Sequence, residues 1–270
     1  MAHGAPESID DIPDYLKQIR GGKESTPETI QIIRDRYKQI GGKSPLREIT
    51  TELANRLEAF LNQERTQFKV YVGMRNWNPY ISDEVKRMKE DGVEKVIAIC
   101  LAPQFSTWST KLYFEAFKEA LKNCGGENIN VHYIASWANH PLLIDVFAEK
   151  YRDALKKLEP EKPESIYTIF TAHSIPSESI KLGDPYGEEF NKTVELLVNH
   201  VKPNHWYQAY QSQGMIPVPW LGPTVESVLD KISKLGSKLS LIHISAPTSP
   251  RLVSYAVFCL KKKKGGGGGG

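Results

Sequence analysis

The stretch SIYTIFTAHSIPSESIKLGDPY, Ser165–Tyr186, decides how this sequence is to be folded. It opens on a strand-length run of aromatic and β-branched residues, IYTIFTA. Pro176, Gly183 and Pro185 then break any regular pattern. A strand ending in Thr-Ala-His-Ser-Ile-Pro presents His173 at the carboxyl edge of a sheet. In open α/β sheets that edge is where ligands bind.

On either side, strand-like and helix-like patterns alternate. FKVYVG (68–73), EKVIAICLAP (94–103), NINVHYIASW (128–137) and WYQAYQS (206–212) read as strands, the second of them as a buried one. ISDEVKRMKEDG (81–92), TKLYFEAFKEALKNCGG (110–126), HPLLIDVFAEKYRDALKKLE (140–159), EEFNKTVELLVNHVK (188–202) and TVESVLDKISKLG (224–236) read as helices. Three further helical segments precede them: ESIDDIPDYLKQIRGG, TPETIQIIRDRYKQIGG and SPLREITTELANRLEAFLNQE. The second and third open on Thr-Pro and Ser-Pro, and the first two stop at glycine pairs. Such alternation with apolar strands predicts an α/β protein whose parallel sheets are covered on both faces. Two sheets suit the length, divided near 137–141 or 160–163, and no repeat of fixed short period appears. The expected domains are 1–140, 141–238 and a foreign tail, 239–270.

The tail changes character at Leu239. LSLIHIS·PT resembles the translation of a transposase sequencing adapter, SYAVFCL that of a flow-cell primer, and KKKKGGGGGG fits poly-A followed by poly-G. These residues are set aside from fold reasoning, as any fusion scar would be. They carry Arg251 and Lys261 to Lys264 and no acid, so without those five charges the formal net charge falls from +3 to −2. The basicity that would point to nucleic acid thus disappears. Composition is ordinary for a globular chain, 40% apolar and 25% charged among 270 residues. No run approaches the roughly 18 apolar residues of a spanning helix. The start, MAHGAPESIDDIP, lacks the pattern of a signal peptide. Cys100, Cys124 and Cys259 are widely spaced and read as reduced thiols of a cytoplasmic protein. Neither a GxGxxG nor a GxxxxGK loop occurs, which removes dinucleotide and P-loop readings.

Seven phrases in one order, MAHGAP, DRYKQIGGKSPL, FKVYVGMRNWNP, LAPQFSTWS, TAHSIP, GDPY and YQSQGMIPVPWLGPT, resemble ferrochelatases. The resemblance covers residues 1–238, and MAHG·P resembles the bacterial branch that metallates coproporphyrin III more than the protoporphyrin IX branch. It implies two Rossmann-like, chelatase-type lobes with mainly parallel sheets, the first lacking most of its first strand and the second incomplete. It also implies an enzyme of haem biosynthesis that inserts Fe²⁺ into a porphyrin, with no cofactor beyond that substrate metal. Porphyrin and ferrous iron are then the partners. Nucleic acid and a transmembrane segment are not expected, and peripheral membrane contact stays open.

By the same resemblance His173 is the essential histidine. Imidazole suits ferrous iron, and a pKa near about 6.5 leaves it largely neutral at cytoplasmic pH. Metal ligand and proton acceptor are both open to it. Arg20, Arg36, Tyr37, Ser44 and Tyr113 match porphyrin-contact positions; an arginine fork can grip a propionate with two donors. His3 stands where that branch often carries an iron-facing tyrosine, and Trp220 of PVPWLGP is expected to pack as a wall. Gln104 and Asn76 replace histidines frequent in the family, so no accessory metal role is expected there. Asp184 reads as a turn residue, and Glu188 and Glu189 as a helix start. The family's acidic DH·E-type element is absent from 1–238, and the chain as written is therefore expected not to insert iron. A sirohydrochlorin-type chelatase and a non-catalytic tetrapyrrole-binding module are the alternatives.

Overall fold

Several helix ends in this chain follow local chemistry. The computed structural model describes residues 1–63, 67–158, 166–214, 217–235, 239–244 and 258–261, the last two stretches as backbone. By spatial proximity the described chain divides into two units, one of Met1–Pro103 with Ser109–Ala135, the other of Gln104–Trp108 with the chain from Ser136 onward. Of the two divisions read from the sequence, residues 160–163 lie outside the described residues.

In the first unit a 3-10 turn, Ile9–Asp11, leads into α1 (Ile12–Ile19). A capping box closes the turn: Asp10 N–H donates to Ser8 Oγ at 3.2 Å and Ser8 N–H to Asp11 Oδ2 at 2.9 Å. The α2 helix (Pro27–Lys38) starts as its Thr-Pro opening predicts, with Thr26 Oγ1 accepting from Thr29 N–H at 3.3 Å. Then come α3 (Leu46–Leu61), α4 (Ile81–Glu90), β1 (Lys95–Ile99), α5 (Thr110–Cys124) and β2 (Asn130–Ile134). The α5 helix stops at Gly125, whose φ of +65° is the left-handed cap that glycine adopts without strain. Strands β1 and β2 pair in parallel, Lys95 opposite Asn130 through Ile99 opposite Ile134.

Two strand readings in this unit need correction. Residues 68–73, expected as a strand, run extended without a ladder; only an isolated parallel bridge joins Met74 to Ala2. The neighbour offered to them is Met1–His3, which bonds Gly73, Arg75 and Asn76 on one side and Ile99 and Leu101 on the other. Three residues are too few for a longer ladder. Nor is β1 buried on both faces, because Ile97 is 62% exposed while its neighbour Ala98 is 4% exposed. Tyr133 of β2 packs edge-on against Phe114 and Phe117 of α5, ring centroids 5.2 and 6.3 Å away. One face is thereby covered, and the face of Ile97 and His132 is open.

The second unit is built on α6 (Pro141–Leu158), β3 (Tyr167–His173), a short α7 (Ser177–Lys181), α8 (Tyr186–Val201), β4 (His205–Gln211), α9 (Val225–Lys234), β5 (Leu239–Ile244) and β6 (Phe258–Lys261). The sheet order is β4-β3-β5-β6. Both neighbours of β3 run parallel to it, in the register Tyr167–His205 to His173–Gln211 on one side and Tyr167–Ser240 to Thr171–Ile244 on the other. Only β6 runs antiparallel, against β5. The backbone at the head of the tail thus lies beside β3, where a Leu- and Ile-rich run finds ladder partners along an open strand edge. Residues 245–257 and 262–270 lie outside the described residues.

Ile144, Phe147 and Ala148 of α6, Phe170 and Ala172 of β3, and Phe190, Val194 and Leu197 of α8 form the main core of this unit. Each large apolar side chain buried there contributes about 1.5–3 kcal/mol. The α9 helix packs on β3 and β4. Thr168 to Ala172 are consequently all buried, and His173 ends the strand half-buried. A strand buried from Thr168 to Ala172 therefore delivers the histidine.

Candidate functional site

His173 is the last residue of β3, and hydrogen bonds grip its surroundings from several elements. Its Nδ1 lies 2.7 Å from the carbonyl oxygen of Ser174. A carbonyl can only accept, so Nδ1 carries a proton, and in the neutral imidazole the lone pair is then on Nε2. Ser174 N–H donates to the Gln211 carbonyl at 2.7 Å, and Ser174 Oγ to the Leu221 carbonyl at 2.9 Å. Tyr186 Oη donates to the carbonyl of His173 itself at 2.9 Å. Burial pushes the Tyr186 phenol well above its ordinary pKa, which keeps it a neutral donor.

Trp220, on the PVPWLGP phrase, sits in an isolated antiparallel bridge with Pro176, and Leu221 N–H donates to the Ile175 carbonyl at 3.0 Å. Its ring lies so close to Gly214 that a Cβ there would stand 2.6 Å from Trp220 Cη2. Glycine is required at that approach, and Trp220 forms a wall near His173's loop.

Asp184 is buried, and its role exceeds that of a turn residue. One carboxylate oxygen accepts from Tyr186 N–H at 3.0 Å, as an Asx turn would. The other accepts from Ser106 Oγ at 3.0 Å, Thr107 N–H at 2.8 Å and Thr107 Oγ1 at 2.7 Å. Glu189 repeats the arrangement, accepting from Phe105 N–H at 2.6 Å and Ser136 Oγ at 2.8 Å. Gln104 Nε2 donates to Thr193 Oγ1 at 3.3 Å. These acids anchor the 104–108 loop to the head of α8. Sequence reasoning missed this, because the partners lie 78 and 84 residues away; only the D-P-Y turn signal was local.

In the first unit, His3 and Tyr113 come together. Tyr113 Oη lies 3.3 Å from His3 Nδ1, and burial pushes that phenol upward as well. Asn76, where no accessory metal role is expected, is buried with its amide 3.1 Å from His3 Nδ1 and 3.2 Å from Nε2. Asn76 N–H also donates to the His3 carbonyl at 2.9 Å. Its effect is to hold the His3 ring. Gly4 follows at φ +88°, where a Cβ would lie 2.6 Å from the Trp77 nitrogen, so the chain passes Trp77 only without a side chain.

The other substrate positions are dispersed over the helices of that unit. Ser44 is buried, its N–H donating to Pro6 O at 3.2 Å and its Oγ accepting from Leu46 N–H at 3.2 Å at the head of α3. Tyr37 is 3% exposed and packs with Ile12 and Leu16. Arg20, just past α1, is exposed and donates to Ser25 Oγ at 2.8 Å, while Arg36 is exposed on α2. A separate cleft of about 210 Å³ in this unit is lined by residues that include Gln18, Arg75, Ser82, Glu119 and Asn123. Among the described residues no three His, Cys, Asp or Glu side chains are grouped to hold a metal, and no helix is long and apolar enough to cross a membrane.

Comparison with known proteins bears on what this arrangement serves. The ferrochelatase family model matches residues 1–246. The chain is 36% identical over 246 residues to the coproporphyrin III ferrochelatase of Geobacillus sp. (strain WCH70), covering 90% of this chain and 79% of that protein. It is 38% identical over 259 residues to the ferrochelatase of Acidobacterium capsulatum, covering 90% and 76%. With the ferrochelatase of Deinococcus radiodurans it shares 35% identity over 240 residues, covering 88% and 76%.

Proposed function

The chain belongs to the ferrochelatase family, enzymes that insert ferrous iron into a porphyrin in haem biosynthesis, and from that premise we propose that its porphyrin is coproporphyrin III and that His173 meets the metal. The family assignment separates it from a sirohydrochlorin-type chelatase and from a non-catalytic tetrapyrrole-binding module. One observation carries the role of His173: the Nδ1–Ser174 carbonyl bond of 2.7 Å at the carboxyl end of a strand buried from Thr168 to Ala172. It puts the lone pair on Nε2, the state in which imidazole ligates a divalent cation or accepts a proton. Metallation requires two pyrrole protons to leave as Fe²⁺ enters, so either act assists it.

The choice of coproporphyrin III is supported by the similarity to the Geobacillus coproporphyrin III ferrochelatase. It also suits a substrate with four propionates and a unit offering exposed Arg20 and Arg36. In this reading the arginines grip propionates and His3, held by Asn76 and Tyr113, approaches the macrocycle, while the buried Tyr37, Ser44 and Tyr113 support the porphyrin site from behind. The reaction in this reading runs in the cytoplasm, whose reducing conditions suit Fe²⁺ and keep Cys100 and Cys124 out of disulfides.

The test has two arms. Titration of the chain with coproporphyrin III and with protoporphyrin IX, followed by absorbance, is expected to favour the former. Arg20→Ala and Arg36→Ala are each expected to weaken coproporphyrin binding by about 1–3 kcal/mol. Turnover is measured with anaerobic Fe²⁺ in a version extended to the length of its relatives, of which the chain spans 76–79%. There His173→Ala is expected to cost about a thousandfold. An unaffected His173→Ala would remove the histidine from the reaction, and equal affinity for both porphyrins would remove the substrate choice.

A further inference from the structure

We infer that Tyr186 is a positioning residue for His173, setting which imidazole nitrogen carries the proton; the inference rests on the reading of His173 given above. The peptide joining His173 to Ser174 is held at both ends. Its carbonyl accepts from Tyr186 Oη at 2.9 Å, and its N–H donates to the Gln211 carbonyl at 2.7 Å. The next carbonyl, that of Ser174, receives His173 Nδ1–H at 2.7 Å. Rotation of the first peptide plane would swing the second carbonyl away from the ring. The bond that fixes the tautomer therefore depends on the phenol of Tyr186.

Tyr186 is itself fixed. Its ring is 8% exposed within the core of α6, β3 and α8, and its N–H donates to Asp184 Oδ1 at 3.0 Å. The second oxygen of Asp184 accepts from Ser106 and Thr107, so the carboxylate ties the head of α8 to the 104–108 loop. A phenol anchored at both its ring and its backbone holds its hydroxyl in one place. A phenylalanine there would keep the packing and lose only that hydroxyl, which separates positioning from bulk.

The experiment compares the full chain with Tyr186→Phe by ¹⁵N imidazole NMR, the His173 signals being assigned by their loss in His173→Gln. The parent is expected to show the Nδ1–H tautomer. In Tyr186→Phe the population of that tautomer over its alternative is expected to fall by about tenfold, the equilibrium worth of one buried hydrogen bond. Ser174→Ala, which cuts the tie to Leu221, should shift the same signals in the same direction. In the version extended to its relatives' length, Tyr186→Phe should lower kcat several-fold with KM for porphyrin unchanged. A Tyr186→Phe protein that keeps the parent's tautomer signals overturns the inference, whatever happens to its melting temperature. Should His173→Ala leave turnover intact while Tyr186→Phe shifts the tautomer, the role of His173 fails and the positioning stands. Should His173→Ala abolish turnover while Tyr186→Phe changes neither signal nor kcat, the positioning alone fails.

Discussion

KVIAI in β1 and YTIFTA in β3 read alike as apolar strand sequence, yet they end in opposite environments. Thr168 to Ala172 of β3 are all buried, whereas Ile97 of β1 is 62% exposed. The difference lies in their neighbours. Strand β3 has a strand on each side, with α6 and α8 on one face and α9 packed on β3 and β4. Strand β1 has one ladder partner, and α5 covers the sheet it shares through Tyr133 on one face. An apolar run thus states that a strand can be buried; its position in the sheet states how far it is. The histidine ends the strand that is buried from Thr168 to Ala172, which suits a group needing one fixed geometry.

The largest effect that could break this comparison is a pair of truncations. Phe170→Ala in β3 is expected to cost about 3–5 kcal/mol, since it opens a cavity between α6 and α8. Ile97→Ala in β1 should cost less than about 0.5 kcal/mol. Urea unfolding of the two variants measures both, and similar losses would show that the face of Ile97 is covered in solution. Next comes Asp184→Ala, expected to cost about 3 kcal/mol because four donors lose their acceptor at a buried position. A loss under about 1 kcal/mol would make the 104–108 tether dispensable.

The smallest effect sharpens the contrast inside the first unit. Cys100 directly follows β1 at its carboxyl end, and burial pushes its thiol up to about 11. Iodoacetamide at pH 8, read by peptide mapping, is expected to label the half-exposed Cys124 at least about tenfold faster than Cys100. The sign of the linked pH effect follows from a raised pKa. The folded state holds the thiol proton more tightly, so this stabilisation is whole below about 9 and is lost as pH rises from about 9 to about 11. Equal labelling would mean that the carboxyl end of β1 is as open as its Ile97 face.

Much of the fold was legible because local rules and tertiary packing agreed. Thr26 capping α2 and Gly125 ending α5 stand where their chemistry predicts, and His173 ends its strand as the TAHSIP phrase implied. What was not legible depends on partners that the local sequence does not name. Residues 68–73 have strand composition but lie beside a segment of only three residues, and a ladder needs a partner of equal length. The run from Leu239, set aside as foreign, supplies a backbone that pairs with β3, since backbone hydrogen bonding is indifferent to a segment's origin. Asn76 reads as replacing a histidine, with no metal role expected, and folding adds a contact to His3 that spans 73 residues.

Sequence alone determined the α/β class, most of the longer helices, the family and the histidine at a strand end, because periodicity, capping and motif order are properties of neighbouring residues; the short α7 was not read from it. Tertiary structure alone decided which sheet is covered on both faces, that Asp184 and Glu189 anchor the 104–108 loop, and that His173 carries its proton on Nδ1. The first two depend on groups that folding brings together from distant parts of the chain. The third is a contact between neighbours, His173 and Ser174, whose peptide is oriented by Tyr186 and Gln211, and a hydrogen bond falls off too steeply with distance and angle for a local pattern to announce it.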